Sequence, residues 1–100
     1  MSHRIAIQGP FLTKATHADV TVGTSALEVL ATAVVPERRI WVVVQNQSTT
    51  ATVDIILNGT GTSGIALSPG TFIQLDNYNG PVRAISTAVS TTVHVAYATA

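Results

Sequence analysis

One hundred residues with five cations, five anions and no cysteine make one domain, or one domain plus an arm. The even charge balance excludes a global field toward nucleic acid or an anionic membrane, and the missing thiols exclude disulfides and thiolate metal sites. Hydrophobic residues reach 46% against 10% charged, well under the roughly 25% charged of ordinary soluble domains, so the surface is one that desolvates easily.

His3 to Gln8 alternates, with Ile5 and Ile7 on one side, and reads as a short strand or extended arm stopped by Gly9-Pro10. That apolar piece is too short for a signal-peptide core, and no segment approaches transmembrane length, so a cytosolic product is expected. Phe11 to Asp19 shows no period and reads as connection. The division expected is therefore residues 1–19 as an N-terminal arm or edge strand and residues 20–100 as the domain.

Val20-Thr21-Val22 is a strand fragment ending at Gly23. Ser25 to Ala33 fits two templates: Ser25 and Glu28 make a helix capping box, while Leu27, Val29 and Ala31 alternate. A strand is favoured, because the piece is short and its neighbours are strands. Pro36 then forces a turn. Arg38-Arg39-Ile40-Trp41-Val42-Val43-Val44-Gln45-Asn46 follows, too β-branched for a helix and apolar on both alternating sides. It predicts a central strand whose two faces both need cover.

Val53, Ile55 and Leu57 alternate inward in the next strand. Gly59 to Gly64 is a loop, Ile65-Ala66-Leu67 a very short strand, and Ser68-Pro69-Gly70 a turn with Gly placed for φ > 0. Thr71 to Leu75, Val82 to Ser86 and Thr91 to Tyr97 complete the set, the last with Val93, Val95 and Tyr97 inward. Strands every ten residues or so, punctuated by Gly and Pro, predict an all-β fold: a small antiparallel β-sandwich or jelly-roll-like barrel of about eight strands with an N-terminal arm.

Motifs for chemistry are weak. Gly59 to Gly64 matches G-x-G-x-x-G, but no helix can open at its last glycine, so a dinucleotide site is not expected. Asn46-Gln47-Ser48 and Asn58-Gly59-Thr60 match the glycosylation sequon without a secretory signal. His3, His17 and His94 lack metal-ligand spacing, and the acids form no close pair. No serine sits in G-x-S-x-G. The reading is therefore a non-enzyme with no catalytic residue, metal or cofactor. Arg38 and Arg39 read as bracketing the strand entrance through salt bridges with Glu37 or an acid on a neighbour. Leu30, Trp41, Val43, Ile56, Phe72 and Ile85 fall on outward faces, which in so uncharged a chain predicts an apolar patch covered by another copy. Trp41, Val43 and Ile56 are the candidates for self-association, since Trp is a favoured anchor.

Several of these stretches also resemble, over residues 20–97, the small β-sandwich structural proteins of tailed bacteriophages. They are Val22-Gly23-Thr24-Ser25 with Val29-Leu30, Arg38-Arg39 running to Gln45-Asn46, Gly64 to Gly70, and Gly80-Pro81-Val82-Arg83-Ala84-Ile85-Ser86. The resemblance implies a virion component, a capsid decoration (cement) protein on the capsid exterior. It implies a homotrimer that bridges subunits of the major capsid protein, held in the host cytoplasm before assembly, with neither nucleic acid nor membrane as partner. Ile5, Ile7 and Phe11 suit capsid docking by the arm. The alternative is a carbohydrate-binding or other structural domain of a phage head fibre or tail, with Tyr78, Asn77 and Asn79 as its sugar contacts.

Overall fold

The computed structural model describes residues 14–57, 61 and 64–100. They form eight strands: β1 (Lys14–Val22), β2 (Leu27–Leu30), β3 (Arg39–Asn46), β4 (Val53–Leu57), β5 (Ile65–Leu67), β6 (Phe72–Asp76), β7 (Val82–Ser86) and β8 (Thr91–Thr99). One sheet, sheet A, has the order β1-β8-β3-β6; the other, sheet B, has β2-β7-β4-β5. The antiparallel pairs β1/β8, β2/β7, β3/β6 and β4/β5 nest one inside the next. That is one long hairpin closed at β4–β5 and rolled so that successive pairs fall in alternate sheets, the jelly roll. The expected all-β sandwich is thus what forms.

The core lies between the sheets. Alternation puts Val42 and Val44 of β3, Val53 and Ile55 of β4, Val82 and Ala84 of β7 and Val93 and Val95 of β8 inward, all fully or nearly fully buried. These are mostly β-branched side chains, which keep few rotamers to lose and pack well on a pleated surface. Leu57 and Tyr97 pack against this core from its margins.

Each end of β3 is closed by a buried polar residue. At the end shared with the β3–β4 and β5–β6 turns, Asn46 is fully buried. Its Nδ2 donates to the carbonyls of Ala51 and Leu67 (2.8 and 3.0 Å), and its Oδ1 accepts from the Ser48 N–H at 2.9 Å. At the opposite end the ladder with β8 shifts by one residue between Arg39 and Trp41. Such a bulge re-aims a side chain, and Arg39 turns inward until only 4% of it is exposed. Its Nη1 donates to the Gly80 carbonyl at 2.9 Å, its Nη2 donates to the Ala31 carbonyl, and its guanidinium stands 5.2 Å from the Tyr97 ring centroid. Its own N–H donates to Asn79 Oδ1 at 2.8 Å. For Arg39 the expected salt bridge is therefore replaced by a clamp on loop carbonyls, because the bulge turns its side chain inward, away from Glu37 and solvent.

Three other expectations change. Residues 14–19, read as connection, belong to β1, which runs unbroken through the boundary drawn after residue 19. Pairing with β8 holds them, a long-range fact with no local period. Leu30 faces the core, not solvent, because the β2–β7 register shifts between Glu28 and Leu30. Of Ser25 to Ala33, favoured as strand, only Leu27–Leu30 is strand. The φ > 0 predicted for the Ser68-Pro69-Gly70 turn is present, at +79° on Gly70. Gly64 precedes β5, not a helix, and a β-carbon there would sit 2.1 Å from the Ile55 carbonyl oxygen; close backbone approach explains this glycine.

Candidate interaction face

The outward face of sheet A can be read from its registers as three rows. Asp19, His94, Gln45 and Phe72 make the first; His17, Ala96, Val43 and Gln74 the second; Ala15, Ala98, Trp41 and Asp76 the third. Apolar side chains occupy the middle: Trp41, Val43 and Ala96 are half-buried, Ala98 is fully buried beside Trp41, and Phe72 is 61% exposed at the corner. Charge is confined to the margins, at Asp19 and Asp76. An apolar centre inside a polar rim is the composition of a protein contact surface.

Trp41 and Val43 therefore share one face. Ile56 does not join them, because it lies on β4 in sheet B, in register with Arg83, and is only 4% exposed. Its side chain has little surface left to offer a second copy. Ile85, beside Asp54 in that register, is half-buried on the same outer face of sheet B, and Glu28 and Arg83 stand directly across from each other there. Opposite charges set against an apolar residue make this a more ordinary solvated face. The docking candidates Ile5, Ile7 and Phe11 lie outside the described residues.

The fold also gathers side chains that the sequence scatters. His94 and Asp19 approach to 2.6 Å (Nδ1 to Oδ1), and the His17 and His94 rings lie 5.1 Å apart, tilted at 45°. Only the β1–β8 ladder, joining the first described strand to the last, brings them together. Among the described residues no group of three or more His, Asp or Glu is arranged to hold a metal ion.

The alternative sugar contacts have internal partners. Tyr78 is half-buried against the core and its hydroxyl donates to the Pro81 carbonyl at 2.6 Å. Asn77 takes φ = 57° and gives its N–H to Ile40. Asn79 accepts from Arg39 through its side chain and from Ala33 through its carbonyl. These groups close the β6–β7 connection against β3.

His94 lies outward, as its alternation with Val93 and Val95 predicts, and Ala96 joins it there by the same alternation of β8. Val34 and Val35 are largely exposed in the β2–β3 connection, at the end of the sandwich where β1 begins. Neither a family model nor a curated protein matches the chain.

Proposed function

We propose that this protein is a structural component of a bacteriophage virion, a capsid decoration protein that self-associates and bridges subunits of the major capsid protein. The observation that carries the reading is the outer face of sheet A, with Trp41, Val43 and Ala96 at its centre and charge only at its edges. Covering the exposed part of Trp41, at most about a third of its surface or about 80 Å², is worth about 2 kcal/mol at about 25 cal/mol/Å². One such contact is weak; many copies on a repeating shell add their binding by multivalency. The jelly roll is common among viral capsid domains, though it also serves lectins, and the internal side-chain hydrogen bonds of Tyr78 and Asn79 favour the structural role over the sugar-binding one.

In this reading the sheet A face builds the oligomer, the three-fold arrangement that the resemblance implies. Ile5, Ile7 and Phe11, with the exposed Val34-Val35, meet the shell. The test is sedimentation equilibrium on the wild type and on Trp41→Ala, paired with electron microscopy of empty phage heads incubated with each. A wild-type trimer that Trp41→Ala weakens, together with added density on the heads, supports the proposal. A monomer at high micromolar concentration, unaffected by the substitution and absent from the heads, removes it.

A further inference from the structure

The two sheets have four edges, and they are not alike. β6 has five residues, β5 three, and β2 four with a register shift. β1 has nine, paired to β8 without a shift from Lys14↔Thr99 to Val22↔Thr91. At about 3.4 Å per residue it presents an edge about 30 Å long. On that edge alternate residues point their N–H and C=O groups away from β8. Proteins usually blunt such an edge with proline, a bulge or several charges. β1 has no proline and no bulge, and a lysine only at its first position. Ala15, His17, Ala18, Asp19 and Thr21 are exposed.

We propose that β1 is a pairing edge for a second copy of this chain: two β1 strands join antiparallel about a two-fold axis at Ala18. The sequence of the strand selects that axis. Ala18 is the midpoint of Lys14–Val22, so only this register pairs all nine residues. It sets His17 across from Asp19 of the second copy, and Asp19 across from its His17. Moving the axis to residue 17 would face two histidines, and moving it to residue 19 would face two aspartates, which is unfavourable. An axis between residues would put outward side chains opposite inward ones and break the continuity of the faces. With Ala18 at the centre, Thr16 meets Val20 and Ala18 meets Ala18 on the inner side.

The neighbouring side chains are compatible. Asp19 uses Oδ1 with His94, and a carboxylate has a second oxygen that accepts from His17 of the other copy. The contact is isologous, so taken alone it closes with two copies. It is independent of the face described above: adding a copy at β1 extends sheet A and leaves Trp41, two strands further in, uncovered.

The chain has no cysteine, which gives a clean test. Ala18→Cys should form a disulfide-linked dimer under mild oxidation, because antiparallel partners bring Cα atoms within disulfide range. Ala15→Cys and Thr21→Cys face each other across the axis, so neither should link alone, but a mixture of the two should link. Circular dichroism confirms the fold of each variant, and the mixed pair keeps the test alive if Ala18→Cys fails to fold. We expect Ala18→Cys to link at least tenfold faster than Thr21→Cys alone, and His17→Asp in the Ala18→Cys background to cut that rate about tenfold. Equal rates for the single cysteines, a rate indifferent to His17→Asp, or protection from hydrogen exchange of the β1 amides that point away from β8 in a protein that sediments as a monomer would each overturn the pairing.

Discussion

The two faces of β3 are built from neighbouring residues and do different work. Val42, Val44 and Asn46 point inward and are fully buried; Trp41, Val43 and Gln45 point outward and are half-buried. Both sets are largely apolar, so hydrophobicity alone does not separate them. What separates them is closure. The inward face meets the second sheet, and its polar member, Asn46, has both amide hydrogens and its carbonyl oxygen bonded. The outward face meets nothing among the described residues that covers it fully. Substitutions inside should therefore register as stability, and substitutions outside as association.

The largest expected break in that division is Asn46→Ala. It strands the Ala51 and Leu67 carbonyls and the Ser48 N–H in or near the core, each of which costs free energy when left unpaired. A loss of about 3 kcal/mol is expected in urea unfolding, a large share of the roughly 5–15 kcal/mol of a domain this size. An unfolding midpoint unchanged from wild type would mean that water takes over the amide's role. Val44→Ala comes next, at about 2 kcal/mol, since it removes two methyl groups from a fully buried site and leaves a cavity. The same assay on Val43→Ala, one residue along, should show less than half that loss; equal losses would abolish the distinction between the faces.

Most of the fold was legible because β-branched alternation is a local signal. The strands around Val42, Ile55, Ala84 and Val93 announce themselves every second residue, and the turn at Gly70 by its own chemistry. The errors trace to places where pairing overrides period. The bulge before Trp41 turns Arg39 inward, and the register shift after Glu28 turns Leu30 inward; neither leaves a mark in a count of alternating residues. β1 was half-missed because Lys14 to Asp19 lacks apolar alternation and is held by β8 instead. For the same reason the approach of His17, Asp19 and His94 could not be read. Of the association candidates, Trp41 and Val43 share a face by simple spacing. Ile56 needed the sheet order to be placed, and that order puts it on the opposite side of the sandwich.

Trp41→Ala sharpens the comparison from the outward side. Most of the ring is already buried in the single chain, so stability goes with it too, by about 2–3 kcal/mol by area. What marks it as an outward residue is its expected effect on self-association, where losing about 2 kcal/mol of newly covered surface corresponds to a weakening of tenfold or more. Sedimentation velocity over a concentration series measures the second effect and urea unfolding the first. A variant that loses stability like Val44→Ala yet associates like wild type would make Trp41 a core residue.

The smallest expected effect comes from Asp19→Asn, and it separates the edge from the face. Asp19 and His94 are partly exposed (side chains 62% and 28%), and pairs of that kind are typically worth about 0.2–1 kcal/mol and are screened by salt. Unfolding of the isolated chain should therefore shift by about 0.5 kcal/mol at low salt and by less at high salt. Asparagine keeps an acceptor for His94 but removes the charge opposite His17 of a second copy. Disulfide linking of an Ala18→Cys, Asp19→Asn double variant should accordingly slow severalfold, while the Trp41-dependent association stays where it was. A substitution that left linking untouched but cost more than about 1.5 kcal/mol in the single chain would place Asp19 in the structure of sheet A and not at its edge contact. If instead linking slowed and association through the outward face fell with it, the two surfaces would have to be one.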